Sequence, residues 1–223
     1  MRVKPRAKSP ILHAKNIQRA RAMLAHLGKH FPPEHAFLHF QTPMQLLVAV
    51  MLSAQCTDKK VNEVTLPMFK RFATAQDFAT ISQRKLERRI HATGFFRQKA
   101  KNIRATARVI ATIHHGDVPM TLAELVALPG VGRKTANVVL QVGSGIAEGV
   151  PVDTHVGRIA RRWKLTPSLN PDVVEQSLMR AFLKKDWTRA PYLMIMLGRA
   201  YCIAQKPKCA ECPLNKICPS STV

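Results

Sequence analysis

The sequence predicts an all-α protein in two domains, and three observations carry that prediction. Apolar residues recur at helical spacing along most of the chain, capping signatures stand where those segments begin, and no segment shows a convincing strand alternation. The chain has 223 residues with 46% hydrophobic content, enough to bury one large core or two modest ones.

Residues 1–13 are basic and punctuated by proline, and read as an N-terminal arm. From Ala14 to Lys29, Ile17, Ala20, Leu24 and Leu27 mark a first helix. Thr42-Pro43-Met44-Gln45 supplies a capping hydroxyl, a proline at the first helical position and a glutamine at the capping-box position. The run Leu46 to Leu52 that follows is apolar on every side, which predicts a central helix. Thr57 caps a third helix running to Phe72, and a short helical stretch reaches Ile81. Ser82 to Thr93 reads as one helix stopped by Gly94. Between Gln98 and His114, Ala100, Ile103, Ala107, Ile110 and Ile113 form an apolar face, with Lys99, Lys101, Arg104 and Arg108 placed off it. A capping box at Thr121-Leu122-Ala123-Glu124 opens a short helix, and Arg133 to Leu140 opens the next. Gly143 to Gly149 has the composition of a hinge. Helices at Thr154–Trp163, Pro171–Lys184 and Ala190–Ala200 complete the chain. The expected domains are residues 36–147, and residues 14–35 together with 148–223.

Thirty-five Lys and Arg against 13 Asp and Glu give a formal charge of +22, an imbalance that points to a polyanionic partner, nucleic acid ahead of a membrane surface. Nine Lys or Arg and one acid, Glu87, lie between Arg84 and Arg108, which predicts a phosphate-facing surface. The basic start is followed by no apolar signal segment, and no apolar run approaches membrane-spanning length, so an intracellular protein in the cytoplasm or nucleoid is expected.

Four of the five cysteines, Cys202, Cys209, Cys212 and Cys218, are spaced C-x6-C-x2-C-x5-C. Clustered thiols in a chain without an export signal point to metal thiolates, zinc or iron-sulfur. Zinc ribbons usually show two C-x2-C knuckles, and one knuckle with looser flanks favours [4Fe-4S]. Between the first two cysteines, Lys206 and Lys208 stand on a loop anchored at both ends, suited to a phosphate contact. Cys56 reads as a packing residue.

Leu128-Pro129-Gly130-Val131-Gly132-Arg133-Lys134 is an apolar shoulder, a two-glycine turn and a lysine at a helix start. By itself it is either a tight helix connection or an anion site at a helix N-terminus. An ordinary lysine titrates near ~10.4, so a nucleophilic Lys134 needs dipoles, burial or nearby cations to free its lone pair. Asp153, in Val152-Asp153-Thr154-His155, stands at another helix start. It is either an N-cap or a carboxylate that orients an amine and stabilises a developing cation. The nine histidines form no metal constellation, and no P-loop, dinucleotide fingerprint or nucleophile elbow is present.

The hairpin with Lys134, the acid at Asp153 and the terminal four-cysteine loop together resemble the endonuclease III family of DNA glycosylases. Leu52 to Gln55, Gly94 to Ile103, Leu128 to Leu140, Val152 to His155 and Gly198 to Cys218 carry the resemblance. It implies a two-domain helix-hairpin-helix fold, with a six-helix domain and an iron-sulfur cluster domain. It implies a bifunctional enzyme of base-excision repair, a monomer acting on double-stranded DNA that contains damaged bases or abasic sites. Lys134 would attack C1′ of a flipped-out oxidised pyrimidine nucleotide and form a Schiff base, with β-elimination following. Asp153 would assist, and the cluster would be structural. Gly130, Val131, Gly132 and Arg133 would hold DNA phosphate, as would Lys206 and Lys208, with Thr154 and His155 at the DNA. Gln55 would fill the gap left by the flipped base, and Phe95 occupies a loop where the family often carries a leucine wedge. Leu197 stands where a histidine is expected. A monofunctional adenine or alkylpurine glycosylase is the alternative enzyme, which Lys134 argues against. A non-catalytic DNA-binding iron-sulfur module leaves Lys134 and Asp153 without a purpose.

Overall fold

The computed structural model describes residues 14–33 and 36–223, and the N-terminal arm lies outside them. The described residues form eleven α-helices and two short 3-10 turns, with no strand. They divide into two compact units, the N-terminal helix with Gly149–Val223, and the segment between them that ends at Glu148.

In the latter unit, α2 (Pro43–Leu52) is the central helix, with every residue from Met44 to Leu52 buried. Thr42 caps it, its hydroxyl accepting from the Gln45 N–H at 3.2 Å. Gln45 does not complete a capping box. Its Oε1 accepts from the Gln41 N–H at 2.8 Å, and its Nε2 donates to the Phe69 and Phe72 carbonyls, both at 2.9 Å. Those carbonyls lie where α3 (Asp58–Phe69) terminates, so the amide nitrogen serves that helix end while the oxygen, taken by the Gln41 N–H, is lost to the box. The helix accordingly stops before Phe72. A reciprocal capping box does form at α4 (Ala75–Thr80), where Asp77 Oδ2 accepts from the Thr74 N–H at 2.9 Å and Thr74 Oγ1 from the Asp77 N–H at 3.2 Å.

The stretch from Ser82 to Thr93 is two elements, α5 (Gln83–Ile90) and a 3-10 turn, His91–Thr93, with Gly94 beyond it at φ 69°. Next, α6 (Phe96–Ile113) buries Ala100, Ile103, Ala107 and Ile110 as expected. Two expectations for α6 fail. Ile113, at its end, is 66% exposed, whereas Lys99 is buried. Lys99 lies four residues before Ile103, hence on the same face. Its Nζ donates at 2.8 Å to the Leu52 carbonyl and at 2.8 Å to the Thr93 carbonyl, so it does not belong to the basic surface. Burial holds its pKa below the usual lysine range.

Thr121 caps α7 (Leu122–Ala127), but its hydroxyl also donates to Glu124 Oε2 at 2.5 Å, so the Glu124 carboxylate engages that side chain and no reciprocal box forms. Then α8 (Arg133–Ser144) ends on Gly145 in the left-handed region.

The other unit contains α1 (Ala14–His30), α9 (Thr154–Arg162), α10 (Pro171–Ala181) and α11 (Arg189–Ala200). Helix α11 packs on both α9 and α1, and α10 packs on the same two. Helix α10 is shorter than expected, because Phe182 is extended and a separate 3-10 turn follows at Lys184–Asp186. Among the described residues no helix is long and apolar enough to cross a membrane.

Candidate functional site

Helices α7 and α8 are joined by the two-glycine turn. Gly130 has φ +76°, and a Cβ there would stand 2.4 Å from the Asn102 amide nitrogen, so both backbone and space demand glycine. Buried Leu128 and Val131 anchor the turn from below, and Thr106 Oγ1 on α6 donates to the Pro129 carbonyl at 2.6 Å. Gly132 is the N-cap of α8 and brings no side-chain oxygen to it, and a Cβ built there meets nothing within 4 Å. The positive end of the α8 dipole is thus left to be met by an external anion. Lys134, the second residue of α8, is exposed beside this end of the helix.

Two exposed loops of the same unit carry Gln55 and Phe95. Both residues are in the left-handed region, at φ 53° and 46°, and Phe95 is 67% exposed. Left-handed backbone in non-glycine residues is costly, of order 1–3 kcal/mol, and persists only when the surroundings impose it.

In the other unit, Asp153 is the N-cap of α9. Its Oδ1 accepts from the Val156 N–H at 2.8 Å, and its Oδ2 lies 3.1 Å from His155 Nδ1. The cap reading is therefore correct, and the carboxylate retains an oxygen beyond the cap. Helix α9 sits close against α11 at Gly198, where a Cβ would meet the His155 ring at 2.9 Å. Arg158 locks this contact, its Nη2 donating to the Gly198 carbonyl at 3.2 Å and its Nε to the Cys202 carbonyl at 3.0 Å. The acid-bearing helix is tied in this way to the start of the cysteine loop.

Cys202, Cys209, Cys212 and Cys218 line one cavity with Arg162, Trp163 and Leu214, and none of them forms a disulfide. Four thiols around one cavity are a donor set suited to an iron-sulfur cluster. Arg162, which sequence reasoning did not single out, organises the loop. Its guanidinium donates to Cys202 Sγ at 3.0 Å and to the carbonyls of Cys202, Ile203 and Ala204 at 3.1, 2.8 and 3.0 Å. Lys206 and Lys208 are both exposed on that loop, and the Lys208 N–H donates to the Tyr201 carbonyl at 2.9 Å. Leu197, in place of a histidine, is buried, and its carbonyl accepts from the Cys202 N–H at 2.8 Å.

The family model for the HhH-GPD superfamily base excision DNA repair protein matches residues 48–184, and that for the iron-sulfur binding domain of endonuclease III matches residues 202–218. The chain is 48% identical to endonuclease III of Synechocystis over 92% of its own length and 93% of the relative's. It superposes on a non-covalent endonuclease III–DNA complex with TM-score 0.86 at 39% identity, covering 92% of this chain and 95% of that one. It superposes equally well, TM-score 0.86 at 40% identity and 92% and 96% coverage, on a trapped covalent endonuclease III–DNA intermediate. With the hairpin lysine, the capping acid and the four-thiol cavity in one all-helical chain, the protein belongs to the endonuclease III family and carries a [4Fe-4S] cluster.

Proposed function

We infer that this protein is a bifunctional DNA glycosylase and abasic-site lyase of base-excision repair, acting on oxidised pyrimidines in double-stranded DNA. The observation that carries the reading is an exposed lysine, Lys134, in the first turn of α8, directly after a glycine hairpin, in a member of the endonuclease III family. In this scheme the Lys134 amine, as the free base, attacks C1′ of a flipped-out nucleotide and the C1′–N bond to the base breaks. Opening of the sugar gives a protonated imine, which acidifies the C2′ proton. Its removal expels the 3′ phosphate and cuts the strand by β-elimination, and water then releases the lysine. No electron is gained or lost. Asp153 stabilises the cationic sugar and takes part in the proton transfers around the amine.

The backbone from Gly130 to Arg133 holds a DNA phosphate at the α8 N-terminus, which fixes the strand without reading its sequence. Thr154 and His155 meet the DNA at the start of α9. Gln55 and Phe95 fill the space a flipped nucleotide leaves, offsetting the few kcal/mol of unstacking. The cluster supplies no step of the reaction. Its four cysteine ligands fix the loop on which Lys206 and Lys208 contact phosphate. An enzyme with this substrate works where the chromosome is, inside the cell at the nucleoid.

Borohydride reduction of the protein on duplex DNA with one abasic site is the direct test. A covalent adduct formed by the native protein and absent in Lys134→Ala is the expected outcome. An equal adduct in the variant assigns the Schiff base to another amine and overturns the role of Lys134.

A further inference from the structure

Lys99 is buried among the apolar residues of the α6 face, and its ammonium lies between two helix ends. One 2.8 Å hydrogen bond goes to the carbonyl of Leu52, the last residue of α2, and another of 2.8 Å to the carbonyl of Thr93, the last residue of the 3-10 turn. Both are terminal carbonyls of the kind a helix leaves without an internal partner. The chain turns sharply after each. Three residues beyond Leu52 stands Gln55 at φ 53°, and two residues beyond Thr93 stands Phe95 at φ 46°, preceded by Gly94 at φ 69°. The Ser53–Cys56 turn is closed locally by the Cys56 N–H on the Ser53 carbonyl at 3.1 Å, and Gly94 by its N–H on the His91 carbonyl at 3.3 Å. Neither of these short-range bonds links one loop to the other. The Lys99 ammonium does link them, because it donates to the carbonyl from which each loop departs.

We propose that Lys99 is a positioning residue that couples the Gln55 and Phe95 loops, holding both in the strained backbone that aims their side chains at the gap in the base stack. The proposal rests on the reading of Gln55 and Phe95 as the residues that fill that gap. An ammonium suits the role better than an apolar side chain of equal length, since a charged donor gives stronger hydrogen bonds to carbonyls that water cannot reach. It also explains why a lysine stands on a buried face with an unfavourable desolvation cost.

The test uses the cluster-loaded protein and the variant Lys99→Met. Amide hydrogen exchange in peptides covering residues 53–56 and 94–96 is expected to quicken in both loops together, by about tenfold or more, while the interiors of α2 and α6 keep their protection. Lys99→Arg, which restores charge and donors, is expected to recover much of that protection. Exchange that quickens in one loop only, or in neither, overturns the proposal. Should Lys99→Met fail to fold, Lys99→Gln keeps a shorter donor and gives the same readout.

Function is read by single-turnover excision from a paired oxidised pyrimidine. Lys99→Met is expected to slow it about tenfold, and adding Lys99→Met to the pair Gln55→Ala, Phe95→Ala is expected to cost no further loss. Independent, multiplicative losses overturn the coupling. If Gln55→Ala and Phe95→Ala leave excision at the native rate while exchange in Lys99→Met behaves as predicted, the reading of the two loops as gap-filling fails and the coupling of the loops by Lys99 stands.

Discussion

Asp153 offers a clean separation of a structural role from a chemical one, because its two oxygens have different partners. Oδ1 accepts from the Val156 N–H at 2.8 Å and caps α9, while Oδ2 faces His155 Nδ1 at 3.1 Å, and the side chain as a whole is 21% exposed. Asn is as good an N-cap as Asp, so Asp153→Asn keeps the cap and removes only the charge. Asp153→Ala removes both, and loss of the cap costs about 1 kcal/mol, a drop of roughly 4–8 °C in the melting temperature of a domain of this size. Both tryptophans, Trp163 and Trp187, lie in the same unit as Asp153, so their emission during heating of the cluster-loaded protein reports on that unit. Excision of an oxidised pyrimidine under single-turnover conditions is expected to fall about 10²–10⁴-fold in both variants, the range typical of a displaced acid or base. The expected pattern is therefore an Asn variant that melts like the native protein yet hardly excises, and an Ala variant that fails on both counts. Native excision by Asp153→Asn would show that the carboxylate is a cap and nothing more. An Asn variant that melts as low as the Ala variant would refute the cap.

Two further predictions concern the unit that carries Lys134. Gln45→Leu strands the buried Phe69 carbonyl and the partly buried Phe72 carbonyl and Gln41 N–H, which costs about 2–4 kcal/mol after the gain from an apolar side chain; urea unfolding followed by far-ultraviolet circular dichroism checks this, and a loss below about 0.5 kcal/mol contradicts it. For Asp77, burial alone would raise the carboxyl pKa, but the Ala73 and Thr74 N–H groups and the Thr74 hydroxyl hold it below the usual carboxylate range. Its contribution is thus complete above the unfolded value near ~3.9 and is lost as pH falls through the lower folded value. Asp77→Ala is expected to melt below the native protein at pH 7 by an amount that shrinks in acid, and a difference that is constant with pH argues against the charge-assisted box.

Local signals were the ones legible in the sequence. Thr42, Thr57 and Thr121 all cap the helices they predict, since a cap is read by N–H groups only two or three residues away. The four thiols were legible for the same reason, being confined to one short loop whose closure brings them to one cavity. What failed involves partners far along the chain. Gln45 reaches carbonyls 24 and 27 residues away, Lys99 reaches one 47 residues away, and Arg162 reaches the Cys202 sulfur 40 residues away. The chemical types of Gln45 and Lys99 fit a cap and a basic surface, and Arg162 carries no local signal of the loop it reaches.

These three residues share one physical feature. Each is a polar side chain long enough to reach the end of another element, and each supplies N–H donors to carbonyls that a helix end or a loop leaves over. Sequence alone does not say which carbonyls come within reach, but helical phase does say which side chain is placed to find them. Lys99 lies on the stripe defined by Ile103, Ala107 and Ile110, and Gln45 lies within a helix buried on every side. A long polar residue on a buried face has no solvent to return to, so it must have found an internal partner or the fold would reject it. For Lys99 the partners are the carbonyls that end two elements, and the loops beginning there carry Gln55 and Phe95. A polar residue out of phase with its own charge is for that reason a better guide to the working parts of this protein than the basic residues around it, which have water as an alternative.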